Sequence, residues 1–351
     1  MATGATYNNN PSARAKRRIM FDINSLKTET DEIKFQKGLY FNFQIDESFE
    51  TKYKMLIVGP EDSPYVGGFY GFDGKFPDNY PYYPMTMKTL TQGGGIRKHP
   101  NLYTGGKCCF SFLGTWQGPP WTACQNPDTV GVSMRSVLTN NPIINEPGWE
   151  KRNDAKTKLY EDMIVYFNLR YAVVEFLKEL RSEKGNGYQF KPLTDKIYRH
   201  FVYNYDKGFY KDKLSIIKSY SGKKLQSPVY GFSVEFDIKY VETSLKKLYT
   251  TILKENPDLK STVDSSISNN EEDVQINSND EISDDISKGS DISSVSSSGS
   301  KKKLKIKKKY TRKAPKEKAC KFELNHELKG VDGKMWKVKE TKTGQKRWYK
   351  V

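Results

Sequence analysis

A chain of 351 residues, with 58 Lys and Arg against 42 Asp and Glu and a formal charge of +16, is long enough to bury a sizeable core. Its four cysteines (108, 109, 124 and 320) form no C-x-x-C pair or disulfide framework, and its histidines (99, 200 and 326) are too scattered to complete a zinc site, so no metal or other cofactor is expected. No apolar run is long enough to cross a bilayer, and "ATGATYNNNP" after Met1 lacks the apolar stretch of a secretory signal, so no membrane is expected among the partners and the expected location is the cell interior.

The charge is uneven. Residues 301–351 hold 20 basic and 5 acidic side chains and 261–300 hold 1 and 9, so the positive excess is mostly C-terminal. Such a tail suits nucleic acid or another acidic partner, and nuclear as well as cytoplasmic residence.

Residues 1–12 are small and polar, and a disordered N-terminus is expected there. "ARAKRRIMFDINSL" (13–26) sets Ile19, Ile23 and Leu26 on one helical face, with Arg14, Lys16, Arg17 and Arg18 crowding elsewhere. From Lys37 to Thr89 the pattern turns to strands: "GLYFNFQI", "YKMLIVG", "GGFYGFDGKF" and "MTMKTL" are separated by turn clusters, which predicts a four-stranded antiparallel meander. A short helix is predicted over 129–141 and a long one over 153–185. Further helices follow near 192–204, 208–220 and 233–254, the last with Ile238, Val241, Leu245, Leu248 and Ile252 at helical spacing. Residues 258–300 are Ser, Asp, Asn and Glu with almost no aromatics, and 301–318 are a basic run, so 258–318 is expected to be a disordered linker. The end of the chain alternates again through Trp336 and Val338, turns near Thr343-Gly344 and returns through Arg347 and Trp348. A small β-hairpin module over 319–351 is expected. Its Trp336, Trp348 and Tyr349 could stack on bases or serve as a minimal core.

The chemistry concentrates in "HPNLYTGGKCCF" (99–110). A phosphate loop fails here, because Asn101 stands where the first glycine is needed and Cys108 where Ser or Thr must hold magnesium. A cysteine hydrolase would need an imidazole oriented by a third group, and no local signature of one surrounds either sulfur. Two buried cysteines acting as small apolar side chains are the bland alternative.

"GPEDSPYVGGFYGFDGKFPDNYPYYP", "HPNLYTGGKCCFSFLGTWQGPPW" and "LTNNPIINEPGW" resemble the ubiquitin-conjugating enzymes in order, spacing and wording. The loop lengths and the helical continuation to about residue 255 are most similar to the larger, Z-type members. The resemblance implies an α+β, UBC-like fold: an N-terminal helix, the four-stranded meander and C-terminal helices, with the hairpin module added. It divides the chain into a catalytic core over 13–150 and a helical extension over 151–257.

It also implies roles. The acceptor cysteine lies ten residues beyond the motif's His, which is Cys109, and Cys108 takes a position usually filled by Val or Ile. Alternation on an extended chain agrees, since one sulfur facing the cleft puts its neighbour in the core. Asn101 is implied as the donor to a tetrahedral oxyanion, beside a structural role of holding the loop. His99 and Pro100 pin the turn. Tyr103 and Glu146, the latter where Asp is commoner, are implied at the pocket for the attacking lysine. Trp116 and Trp121 are expected to pack. Arg14, Arg17 and Arg18 fall where the family meets its activating enzyme, and Tyr82 and Ala123 where it meets ligases, with Ala123 standing where Pro is usual. The implied partners are ubiquitin or a ubiquitin-like modifier, the ubiquitin-activating enzyme and a ubiquitin ligase. An inactive adaptor that keeps the fold to bind ubiquitin or ligases is the alternative.

Overall fold

The structure is a computed structural model that describes residues 4–8, 10–45, 51–260, 322–329, 334–340 and 346–350. The expected linker lies outside the described residues beyond position 260, as does the turn at Thr343-Gly344. The chain divides into two compact units, 1–278 and 279–351.

In the first unit, α1 (Ala13–Lys27) starts where Ser12 Oγ accepts from Ala15 N at 3.2 Å. Ala15, Ile19, Ile23 and Leu26 form its buried stripe. A polar segment precedes it. Asp78 N donates to Thr6 O at 2.7 Å and Asn8 N to Asp78 Oδ2 at 2.7 Å, so this polar segment is held by backbone and capping bonds rather than by apolar burial. A second short helix, α2 (Asp31–Lys37), has no buried residue and therefore no apolar stripe to read. It ends at Gly38, whose left-handed φ of 56° turns the chain into the sheet.

β1 (Leu39–Ile45), β2 (Thr51–Val58), β3 (Phe69–Lys75) and β4 (Thr86–Thr89) form the antiparallel meander in chain order. Beyond β4 the sheet continues irregularly into the cysteine segment. Lys88 bridges Lys107, and Thr89 N donates to Gly106 O at 2.9 Å. α3 (Pro127–Ser136) packs on β1 and β2, and an added Cβ at Gly131 would stand 2.7 Å from both Leu39 methyl carbons. This helix stops short of the expected 141, and Asn141 adopts a positive φ of 50°.

The long helix runs as α4 (Ala155–Phe167), a π-helical stretch (Asn168–Glu175) and α5 (Phe176–Ser182). The wider turn starts at Asn168, which is fully buried and accepts from Tyr70 Oη at 2.7 Å while donating to Val66 O at 2.9 Å. α6 (Gly185–Tyr188), α7 (Thr194–Asp206) and α8 (Phe209–Ile217) follow. Residues 233–235, expected in the last helix, form a strand instead: β5 (Lys224–Gln226) pairs with β6 (Ser233–Glu235). Phe232, Val234 and Phe236 alternate there at period two, and only then does Asp237 cap α9 (Ile238–Glu255) by accepting from Tyr240 N at 3.0 Å. All five apolar positions expected on that helix are buried.

The second unit is three-stranded rather than a hairpin alone. β7 (Glu327–Lys329), β8 (Met335–Glu340) and β9 (Lys346–Lys350) are antiparallel in that order, with Val338 fully buried. Phe322 lies 5.4 Å from the Trp348 ring, so Trp348 packs within the unit while Tyr349 is exposed.

One core residue is out of character. Lys98 is fully buried, its Nζ has no hydrogen-bond partner among the described residues, and the Phe167 ring lies 5.8 Å away. Burial pushes its ammonium down to about 7 from 10.5, opposed weakly by the neighbouring Cys108. Between those two values the unfolded chain holds a proton that the folded chain lacks, so this residue's contribution rises with pH and its full penalty stands below pH 7. Lys98→Met should therefore stabilise the protein most at pH 6, with a gap to the parent that narrows by pH 8.5. Urea titrations across that range test this, and a pH-independent gap would contradict it. Gly68→Ala should cost about 2–3 kcal/mol by overpacking, because its Cβ would fall 1.8 Å from Asn168 Oδ1. An unchanged urea midpoint would refute that close approach.

Candidate active site

The site is built on a tight reversal between His99 and Phe110. His99 is fully buried; its Nδ1 accepts from Asn101 N at 3.1 Å, and its Nε2, 3.1 Å from Val137 O, is then the protonated nitrogen that donates. Burial holds the imidazole neutral, down to about 3, and the cations of Lys98 and Arg97 push the same way. A neutral ring bonded on both sides orients the turn and has no free lone pair for proton transfer. The chain reverses through Gly106, whose N donates to Tyr103 O at 2.9 Å, with a φ of 90° that favours glycine.

This reversal sets Asn101 opposite Cys109. Cys109 N donates to Asn101 O at 2.8 Å, and Asn101 Nδ2 donates to Cys109 O at 2.7 Å. The amide side chain therefore holds the loop, and its second N–H remains for another acceptor.

The two sulfurs differ in surroundings rather than in exposure. Cys108 belongs to the apolar core, and burial pushes its thiol up to about 12. Cys109 lies outside that core cluster but is only 2% exposed, against the expectation of a sulfur open to a cleft. Its backbone is paired to Asn101 on both sides, and the next residues close at once into a turn in which Thr115 Oγ1 accepts from Phe110 N and donates to Cys108 O.

Tyr103 and Glu146 come together around a residue that no sequence motif marked. The Arg97 guanidinium lies 3.7 Å over the Tyr103 ring and 4.1 Å over the Tyr230 ring, with Nη2 donating to Pro100 O at 2.5 Å. Glu146 Oε2 stands 3.8 Å from Arg97 Nη2 and accepts from Tyr230 Oη at 2.5 Å. Arg97 lies two residues before the His-Pro-Asn motif and Tyr230 in the β5–β6 loop, so no local pattern joins them.

The basic flank of α1 and the two loops expected to face ligases form one patch. The Arg14 guanidinium lies 5.3 Å over the Tyr82 ring, both residues being exposed, and Arg17 is exposed beside them. Arg18 is not a free cation of that patch. It bonds both Asp22 carboxylate oxygens at 2.9–3.0 Å and donates to Ala123 O at 2.7 Å and Gln125 O at 3.1 Å, because only a forked guanidinium can tie the helix to that loop. Trp121 packs against the core and donates to Pro81 O at 2.7 Å, whereas Trp116, expected to pack, is 52% exposed.

Residues 25–167 match the family model described as ubiquitin-conjugating enzyme. The chain is similar to human ubiquitin-conjugating enzyme E2 Z, 35% identical over 234 residues that cover 64% of this chain and 62% of that protein. It is also similar to a probable ubiquitin-conjugating enzyme protein 17 of Caenorhabditis elegans, 40% identical over 144 residues, 38% of this chain and 20% of that one. The E2 domain of a Toxoplasma gondii ubiquitin conjugating enzyme matches at 21% identity with a TM-score of 0.33, covering 45% of this chain and 98% of that structure. The chain spans about 62% of the length of its human relative. With the meander, the His-Pro-Asn reversal and the Asn101–Cys109 pairing in place, residues 25–167 of this chain form a ubiquitin-conjugating enzyme domain, and the chain as a whole is similar to E2 Z.

Proposed function

We propose that the chain accepts ubiquitin, or a ubiquitin-like modifier, as a thioester on Cys109 and passes it to a lysine or a ligase. The observation that carries this reading is the reciprocal Asn101–Cys109 pairing, with the neighbouring thiol sequestered in the core. In charging, the Cys109 thiolate attacks the modifier's carbonyl carbon held on an activating enzyme, and that enzyme's sulfur leaves as thiolate. In discharge, a neutral lysine amine attacks the same carbonyl, the C–N bond forms, the C–S bond breaks, the nitrogen gives up one proton, and Cys109 leaves as thiolate. Both steps pass through an oxyanion, for which the second N–H of Asn101 is the available donor. Tyr103 and Glu146 then line the approach of the lysine. Arg14 and Arg17, the exposed cations of α1, are the proposed contact for the activating enzyme, and Tyr82 with the Ala123 loop for a ligase.

The 2% exposure of Cys109 favours a second reading, an uncharged adaptor that binds ubiquitin or a ligase through the same fold. Incubation with activating enzyme, ATP and modifier separates the two. A thiol-sensitive adduct lost in Cys109→Ser and kept in Cys108→Ser is expected; binding of ubiquitin without any adduct would favour the adaptor. Reversing the charge of Arg14 and Arg17 together should slow charging about tenfold or more, by removing electrostatic steering. The defect should shrink as salt is raised, and a salt-independent defect would assign these residues to folding instead.

A further inference from the structure

Tyr230 is the only contributor to the cluster around Arg97 that comes from the β5–β6 hairpin, which lies beyond the residues matched by the family model. Its backbone is held at a positive φ of 62°, an uncommon conformation for a side chain of this size, directly before Gly231 at 69°. The hairpin packs through Val234 and Phe236, both buried, and the Tyr230 ring itself lies against the core, 5.9 Å from the Tyr160 ring and edge-on to it. The Tyr230 hydroxyl adds nothing to that packing: among the described residues it bonds only Glu146 Oε2. The ring, meanwhile, lies 4.1 Å from the Arg97 guanidinium, which also lies 3.7 Å over the Tyr103 ring.

We infer that Tyr230 is a positioning residue for lysine attack. It engages one oxygen of Glu146, so that Oε1 is presented to the incoming amine, and it keeps Arg97 stacked on Tyr103 rather than swung onto the carboxylate. The inference rests on the proposed conjugating activity. A carboxylate can orient an incoming lysine only while its charge is not spent on a nearer cation. Arg97 Nη2 stands at 3.8 Å from Oε2, close enough to attract but outside hydrogen-bonding distance, and the two tyrosine rings hold it there. The side chain of Glu146 retains 30% exposure, which leaves the carboxylate accessible from solvent. A hydrogen bond from a phenol to a carboxylate is of the stronger, charge-assisted kind, enough to select one rotamer of a short side chain. The helical extension would in this way set the efficiency of discharge from a site built almost wholly by the smaller core.

The test is single-turnover discharge of the full chain. The Cys109 thioester is formed, freed of activating enzyme and ATP, and mixed with free lysine over a range of concentrations, and the rate is taken per thioester present. Tyr230→Phe keeps the ring over Arg97 and removes the hydroxyl. It should raise the apparent KM for lysine about tenfold, the effect of losing one hydrogen bond to a charged group, while the rate at saturating lysine changes little. Tyr230→Ala also frees Arg97 and should lower the saturating rate as well. In a Glu146→Gln background, Tyr230→Phe should add less than a further twofold. Thioester hydrolysis without lysine serves as the baseline. Discharge of Tyr230→Phe indistinguishable from the parent at every lysine concentration, or an effect undiminished by Glu146→Gln, would overturn the assignment. Failure of the parent chain to form any thioester would instead overturn the conjugating activity itself, and this inference with it.

Discussion

The geometry of the site depends on one closed loop of hydrogen bonds, in which Asn101 O accepts from Cys109 N while the Asn101 side chain donates to Cys109 O. A buried backbone group without a partner costs as much as a lost hydrogen bond, so this reversal is stable only if every donor and acceptor in it is met. His99 completes the set by taking the Asn101 N–H and giving its own proton to Val137 O. A charged imidazole could not accept that N–H, which is why burial and the neighbouring cations matter: they keep the ring neutral. A motif usually read for chemistry is thus first a solution to a backbone accounting problem. The sulfur is placed as a consequence.

Consecutive residues meet different environments along this segment. Arg97 lies over the Tyr103 and Tyr230 rings at the site, and Lys98, next in the chain, is fully buried in the core. Cys108 and Cys109 divide in the same way between the core cluster and its outside. Extended backbone sends neighbouring side chains to opposite faces, so adjacent residues of like chemistry acquire opposite properties. For the arginine the outcome is an organised cation, and for the lysine an ammonium pushed toward neutrality.

The α1 flank and the surroundings of Glu146 are built on different physical terms. On the first, α1 is tied to the loop around Ala123 by a forked guanidinium, and two further arginines stay exposed beside an exposed tyrosine. Long-range charge there governs encounter more than affinity. On the second, Arg97 lies over the Tyr103 and Tyr230 rings, and Glu146 stands 3.8 Å from Arg97 and bonds the Tyr230 hydroxyl.

Sequence alone determined the meander and the buried stripes of α1 and α9, because periodicity carries that information, while the resemblance of its motifs to a known family pointed to Cys109 and Asn101. It did not yield α2, which has no buried face, nor the β5–β6 hairpin, whose second strand was absorbed into the pattern of the helix that follows it. It marked Arg18 only as a charge, whereas folding commits it to Asp22 and two carbonyls. Tertiary structure alone decided the covering of Cys109, the burial of Lys98 and the meeting of Tyr230 with Glu146, which lie 84 residues apart. Such contacts follow from how separate elements pack, and a local pattern of residue types holds no record of them.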